Sequence, residues 1–134
     1  MGERLPPIFT ADQIRAAYHA GLCIVWEEGG IRDTWDVIAV DDVSATTRFT
    51  AADGTATEHS SPFETLSGHS AFPVGTTVLR ETFDTPLGAL EGTHAIYRAD
   101  GGEQHFYFAD DYPGPPMIIR GPGTQRRQVA RSDA

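Results

Sequence analysis

The sequence contains no lysine and no asparagine, and its ten basic residues are all arginine. Without lysine there is no Schiff-base chemistry, and without asparagine neither a Cys-His-Asn triad nor an N-glycosylation sequon. The bias itself reads as the codon usage of a GC-rich genome. Cysteine occurs once, at Cys23, which excludes an internal disulfide and a thiolate metal cluster. Its apolar neighbours Leu22, Ile24 and Val25 mark it as a buried inert thiol rather than a nucleophile. Positive charge is scarce: the formal net charge is -9 and the isoelectric point about 4.8. Phosphate recognition needs clustered basic residues, so nucleic acid and anionic membrane are excluded as partners. No apolar run approaches membrane-spanning length, and the opening MGERLPPIFTADQ has no apolar signal core, so a soluble cytoplasmic protein is expected. Nucleophile-elbow, phosphate-loop and His-Glu-x-x-His motifs are missing, and no cofactor is called for.

What is present reads as one domain over 1–134, with a lead-in over 1–8 and a tail over 131–134. Thr10-Ala11-Asp12-Gln13 has the spacing of a capping box, and Phe9 and Ile14 fall at the two ends of a hydrophobic staple. With Gly21 as the stop, this predicts a helix over 11–20 that buries Ile14, Ala17 and Tyr18. Ser61-Pro62-Phe63-Glu64 is a second start signal, with serine as N-cap, for a short helix ending near Gly68.

The remainder alternates in strand fashion between turn residues. Strands are expected over 22–28, 31–40, 43–50 and 55–60, three more within 76–120, and a last hairpin of 117–120 with 125–130. A two-residue turn at Asp41-Asp42 would pair residue 40 with 43 and set Arg48 opposite Trp35 in cation–π reach. About nine strands with short connections predict a mainly β fold: a β-barrel-like or strongly curled antiparallel meander with one N-terminal helix and one short helix. An open α+β sheet is the alternative.

The candidate site comes from the hairpin at Asp100-Gly101. Taken as a two-residue type I′ turn, it pairs Arg98 with Glu103, Ile96 with His105 and His94 with Tyr107. Thr93, Ala95, Tyr97, Gln104, Phe106 and Phe108 then form the core face. His94, Ile96, Arg98, Glu103, His105 and Tyr107 share the other. That face is open to three readings: plain exposed sheet with an Arg98–Glu103 ion pair, the wall of a ligand-binding lumen, or an acid–base site. The candidate catalytic residues are His94, His105 and Tyr107; the candidate ligand-binding residues are Trp35, Arg48, Arg98 and Glu103. Glu103 and His105 point the same way, as strand-borne metal ligands do, but spacing fixes no third ligand and no metal is assigned.

Two patterns carry a resemblance. Thr85-Pro86-Leu87-Gly88 precedes a strand with Tyr97, and Phe106-Tyr107-Phe108-Ala109-Asp110 precedes Pro113-Gly114-Pro115-Pro116. Together they resemble a family of small bacterial β-rich proteins without an assigned activity, distantly similar to curled-sheet carrier and lipocalin-like domains. The resemblance covers roughly 70–120, implies the fold and carries over no catalytic residue. The leading expectation is a lipocalin-like protein that binds an apolar small molecule. The alternatives are a cofactor-independent isomerase or cyclase using His/Tyr acid–base chemistry in the lumen, and a homodimeric interaction module.

Overall fold

In the computed structural model, which describes residues 3–132, the first helix forms as its capping residues dictate. Met1 and Gly2 of the lead-in, and Asp133 and Ala134 of the tail, lie outside the described residues. In α1 (Ala11–Ala17) the Thr10 hydroxyl accepts from the Gln13 N–H at 3.2 Å, and the Gln13 amide oxygen accepts from the Thr10 N–H at 2.8 Å. Phe9 and Ile14, the two ends of the staple, are both buried. The helix stops short of the expected residue 20 because Tyr18 adopts extended backbone. Its ring is thereby turned into the core, edge-on to Trp35 and Phe63.

Nine strands follow: β1 (Cys23–Glu28), β2 (Ile31–Val40), β3 (Ser44–Thr50), β4 (Ala56–Pro62), β5 (Thr77–Thr85), β6 (Gly88–Ala99), β7 (Gly102–Ala109), β8 (Ile118–Gly121) and β9 (Thr124–Ser132). They form one antiparallel sheet in the order β4-β3-β2-β1-β9-β8-β7-β6-β5. This is the cyclic order of an up-and-down barrel in which β1 has met the last strand and β4 has not met β5. The sheet is therefore a curled meander with one open seam. Between β4 and β5 the chain runs through α2 (Phe63–Gly68). This helix begins one residue later than its sequence signal suggests. Ser61 stays in β4 opposite Ala45, and Pro62 takes the N-cap without a side-chain hydrogen bond. Neither end of the chain is loose where described. Arg4 bridges Pro73 in the lead-in, while Arg131 and Ser132 pair with Ile24 and Cys23.

Turn chemistry decides which expected registers hold. The β6–β7 hairpin pairs Arg98 with Glu103, Ile96 with His105 and His94 with Tyr107, as the Asp100-Gly101 turn requires. The turn is not type I′: that type needs positive φ at both central residues, and here only the following Gly102 has it, at 118°. The β2–β3 register differs from expectation. The Asp41 carboxylate accepts from the N–H groups of Val43 and Ser44 at 2.8 and 2.7 Å, which lengthens the loop and pairs Val40 with Ala45. A bulge at Ile38 shifts the ladder again, so Trp35 faces Phe49 and Arg48 faces Asp36. Arg48 binds Glu58 on β4 at 2.8 Å instead of stacking on Trp35.

Each face of the sheet carries a core. On the helix face, Phe9, Ile14, Tyr18, Leu22, Val37, Ala45, Phe63 and Phe108 pack together, with Phe72 lying against Phe106 and Phe108. Full burial of each such large side chain contributes about 1.5–3 kcal/mol. On the far face, Phe83, Tyr107, Ala109, Met117 and Ile118 form a second cluster beneath Leu87, Leu90 and Tyr112. The last five strands bend over this face far enough for β5 to approach β9. The β6–β7 contact is tight at Gly92, where a Cβ atom would stand 1.8 Å from the Phe108 carbonyl oxygen. Gly92→Ala is expected to cost about 3 kcal/mol or more, because backbone rather than a flexible side chain must move. Urea denaturation measures it, and an unchanged midpoint would contradict this packing.

The outer strand β5 is tied across the sheet by Arg80, which hydrogen-bonds the Asp110 carboxylate through both terminal nitrogens. These hydrogen bonds hold the Asp110 carboxyl below the usual carboxylate range. A depressed folded-state value means that the pair's contribution is complete above about pH 4, the unfolded value, and is lost as pH falls through the lower folded one. Asp110→Asn should flatten that acid limb while leaving the neutral-to-basic stability profile parallel to that of the parent. Urea midpoints collected from acid to neutral pH provide the comparison.

Candidate functional site

The register of β5, β6 and β7 assembles a chain of titratable side chains on the far face. The His94 Nδ1 lies 3.1 Å from a Glu81 oxygen, and its Nε2 lies 2.7 Å from His105 Nδ1. His105 Nε2 then approaches Glu103 at 3.3 Å, and Glu103 accepts from Arg98 Nε at 2.8 Å. Tyr107 stacks on His94 with ring centroids 4.1 Å apart and planes 14° from parallel. Arg120 of β8, paired with His105 across the ladder, donates to the Tyr107 hydroxyl at 3.0 Å and lies over its ring. Exposure is graded along the chain: the side chain of His94 is 8% exposed, that of His105 17%, and those of the carboxylates Glu81 and Glu103 37% and 46%.

The predicted catalytic trio His94, His105 and Tyr107 is therefore brought together, with Arg98 and Glu103 at its edge. Trp35 and Arg48 are not part of it: Trp35 belongs to the helix-face core and Arg48 pairs with Glu58. Two members were missed. Glu81 was legible in principle, because the Thr85-Pro86-Leu87-Gly88 turn pairs Thr85 with Gly88 and thus sets Leu79 opposite His94 and Glu81 one pair along. Arg120 was not, since its register depends on the corner over 110–117, which no local rule fixes. The facing nitrogens of His94 and His105 are 2.7 Å apart, whereas two ligands on one tetrahedral zinc stand about 3.3 Å apart. Among the described residues no three or more His, Cys, Asp or Glu side chains are arranged so that they could hold a metal ion.

A cavity of about 380 Å³ sits on the helix face, walled by Tyr18, Trp35, Leu66, Phe108, Pro115 and Pro116. Thr47, His59, Ser61, His69 and Ser70 supply its polar lining. Burial pushes the Tyr18 phenol well above its ordinary range, so this wall stays uncharged. Gly114 sits at the cavity with φ 138°, and a Cβ there would meet the Tyr18 hydroxyl at 2.7 Å.

The chain matches no protein-family model, no curated protein and no solved structure. No helix among the described residues is long and apolar enough to cross a membrane.

Cys23 is partly exposed rather than buried, but its thiol is still a poor nucleophile. Desolvation, a hydrogen bond with Asp36 and that carboxylate's charge push its pKa up to about 11. The thiolate is the reacting species. Disulfide exchange with an aromatic disulfide reagent at about pH 8 should therefore run at least tenfold slower than for a free thiol with pKa about 8.5. Asp36→Asn should speed it.

Proposed function

We propose that the protein binds an apolar small molecule in the helix-face cavity, with Trp35, Tyr18, Leu66 and Phe108 as its walls. The observation that carries the reading is the cavity itself, whose 380 Å³ falls within the range of about 300–1,000 Å³ usual for small-molecule sites. Its lining has the character of such a site: mostly aromatic and aliphatic surface, with a few hydroxyl and imidazole groups at one side to orient a ligand. The open seam supports the reading as well. With β4 unpaired to β5, the wall formed by His59 and Ser61 is an edge strand rather than the middle of a closed barrel, which leaves a route in. This is a carrier-like role of the kind that a lipocalin-like barrel performs, moved from the face of His94 and His105 to the face of Trp35.

Trp26 and Trp35 are the two tryptophans, so Trp26→Phe leaves Trp35 as the sole indole reporter. Titration with N-phenyl-1-naphthylamine, an uncharged fluorescent probe, should quench Trp35 saturably with one site per chain. Leu66→Trp, which fills the cavity, should abolish binding as read from the probe's own fluorescence, while the circular dichroism spectrum is retained. Non-saturable quenching, or binding unaffected by Leu66→Trp, would overturn the proposal.

A further inference from the structure

We propose that the far face carries a second site, a hydrolytic one for small carboxylic esters, in which His105 is the general base and Arg120 receives the carbonyl oxygen. The argument begins with the direction of the hydrogen bonds. Glu81 as carboxylate can only accept, so His94 must carry its proton on Nδ1. The Nε2 of a neutral His94 is then a lone pair. At 2.7 Å the facing Nδ1 of His105 must donate to it, which leaves Nε2 of a neutral His105 bare. The chain could run the other way only if His105 Nε2 donated to Glu103. That contact, to the Glu103 oxygen not held by Arg98, is 3.3 Å long and is an ion-pair contact rather than a hydrogen bond. Glu81 has no arginine partner among the described residues and is the stronger acceptor. A carboxylate thus fixes one imidazole, and that imidazole fixes a second, whose free lone pair sits at the more exposed end. This is the logic of a carboxylate-oriented histidine base, extended by one ring.

Arg120 completes the site. It pairs with His105 across β7–β8, and it is exposed. Among the described residues its one hydrogen-bond partner is the Tyr107 hydroxyl, and none of their carboxylates lies within ion-pair distance. In a chain of net charge -9, where most arginines hold an acidic partner, an arginine left with free N–H donors across the ladder from His105 is a receptor for an oxyanion. In the reaction a water oxygen attacks the ester carbonyl as His105 Nε2 removes one of its protons. The carbonyl π pair moves onto the oxygen facing Arg120. Collapse of the tetrahedral intermediate expels the alkoxide or phenoxide with the C–O bonding pair, and the proton on His105 passes to it or to solvent. Ester and water give acid and alcohol, and no other reactant is needed. His94 and Glu81 are positioning residues.

Two measurements on the whole chain test this. Long-range ¹H–¹⁵N spectra at about pH 8, where an ordinary imidazole is neutral, should show His94 and His105 both protonated on Nδ1 and His105 Nε2 bare. A proton on His105 Nε2 overturns the proposal, and this arm stands whether or not any variant folds. Hydrolysis of 4-nitrophenyl acetate should show a solvent deuterium isotope effect. His105→Gln should lose on the order of 100-fold of the protein-dependent rate. Glu81→Gln should lower kcat, leave KM nearly unchanged and move the His105 Nε2 resonance, which a purely structural residue would not do. An unchanged rate in His105→Gln overturns the assignment. Saturating the cavity with N-phenyl-1-naphthylamine should leave this activity intact, so failure of one site is distinguishable from failure of the other.

Discussion

The pairing of β1 with β9 is the constraint on which the rest of this structure depends. Each half of the sheet is a local meander, β1 to β4 and β5 to β9, and no hairpin joins the two. The join is made by one antiparallel ladder, interrupted by a bulge between Val25 and Trp26. It is reinforced on the helix face by Arg126, which grips Asp33 with two nitrogens at 2.8 and 2.9 Å and lies over the Trp26 ring. With that ladder in place, β2–β4 and the 113–116 corner are brought to the same side as α1 and α2, and the cavity between them exists. Without it, Trp35 and Phe108 would have no shared space to line.

The two candidate sites follow from the same sheet but from its opposite faces. Strand alternation sends Phe106 and Phe108 toward the helices and His105 and Tyr107 away from them. A single ladder between β6 and β7 therefore supplies one wall of the cavity and the centre of the imidazole chain. The difference in chemistry follows from what covers each face. Helices and Phe72 make the first side apolar, whereas the second is shielded mainly by its own side chains. Polar groups can be half-buried there only by bonding one another, and the linked contacts from Glu81 to Arg98 are the result.

Legibility in the sequence tracked the range of the interaction that decides each feature. The Thr10–Gln13 cap and the Asp100-Gly101 hairpin are set by residues within a few positions of each other, and both were readable, including the meeting of His94, His105 and Tyr107. The β2–β3 register failed because the Asp41 side chain competes with the backbone for Val43 and Ser44, and because the bulge at Ile38 has no sequence signature of its own. The Phe106 and Phe108 face was readable as core, but which face carries the cavity was not. That choice depends on where α1 packs, and the far-face residues are apolar enough to pass for core; Tyr107, for one, is fully packed there.

Gly54, Gly88 and Gly123 let the hairpins form locally, each with positive φ, but the β1–β9 ladder joins Glu27 to Arg127, a separation of 100, and Cys23 to Ser132, further still. Loop-closure entropy makes such contacts the slowest to form and the least supported by local propensity. The meanders can assemble independently, and their union is the late event. Side chains at that union, Asp33 and Arg126 among them, therefore govern chiefly how long the folded protein lasts, by setting its unfolding rate, and only weakly how fast it folds.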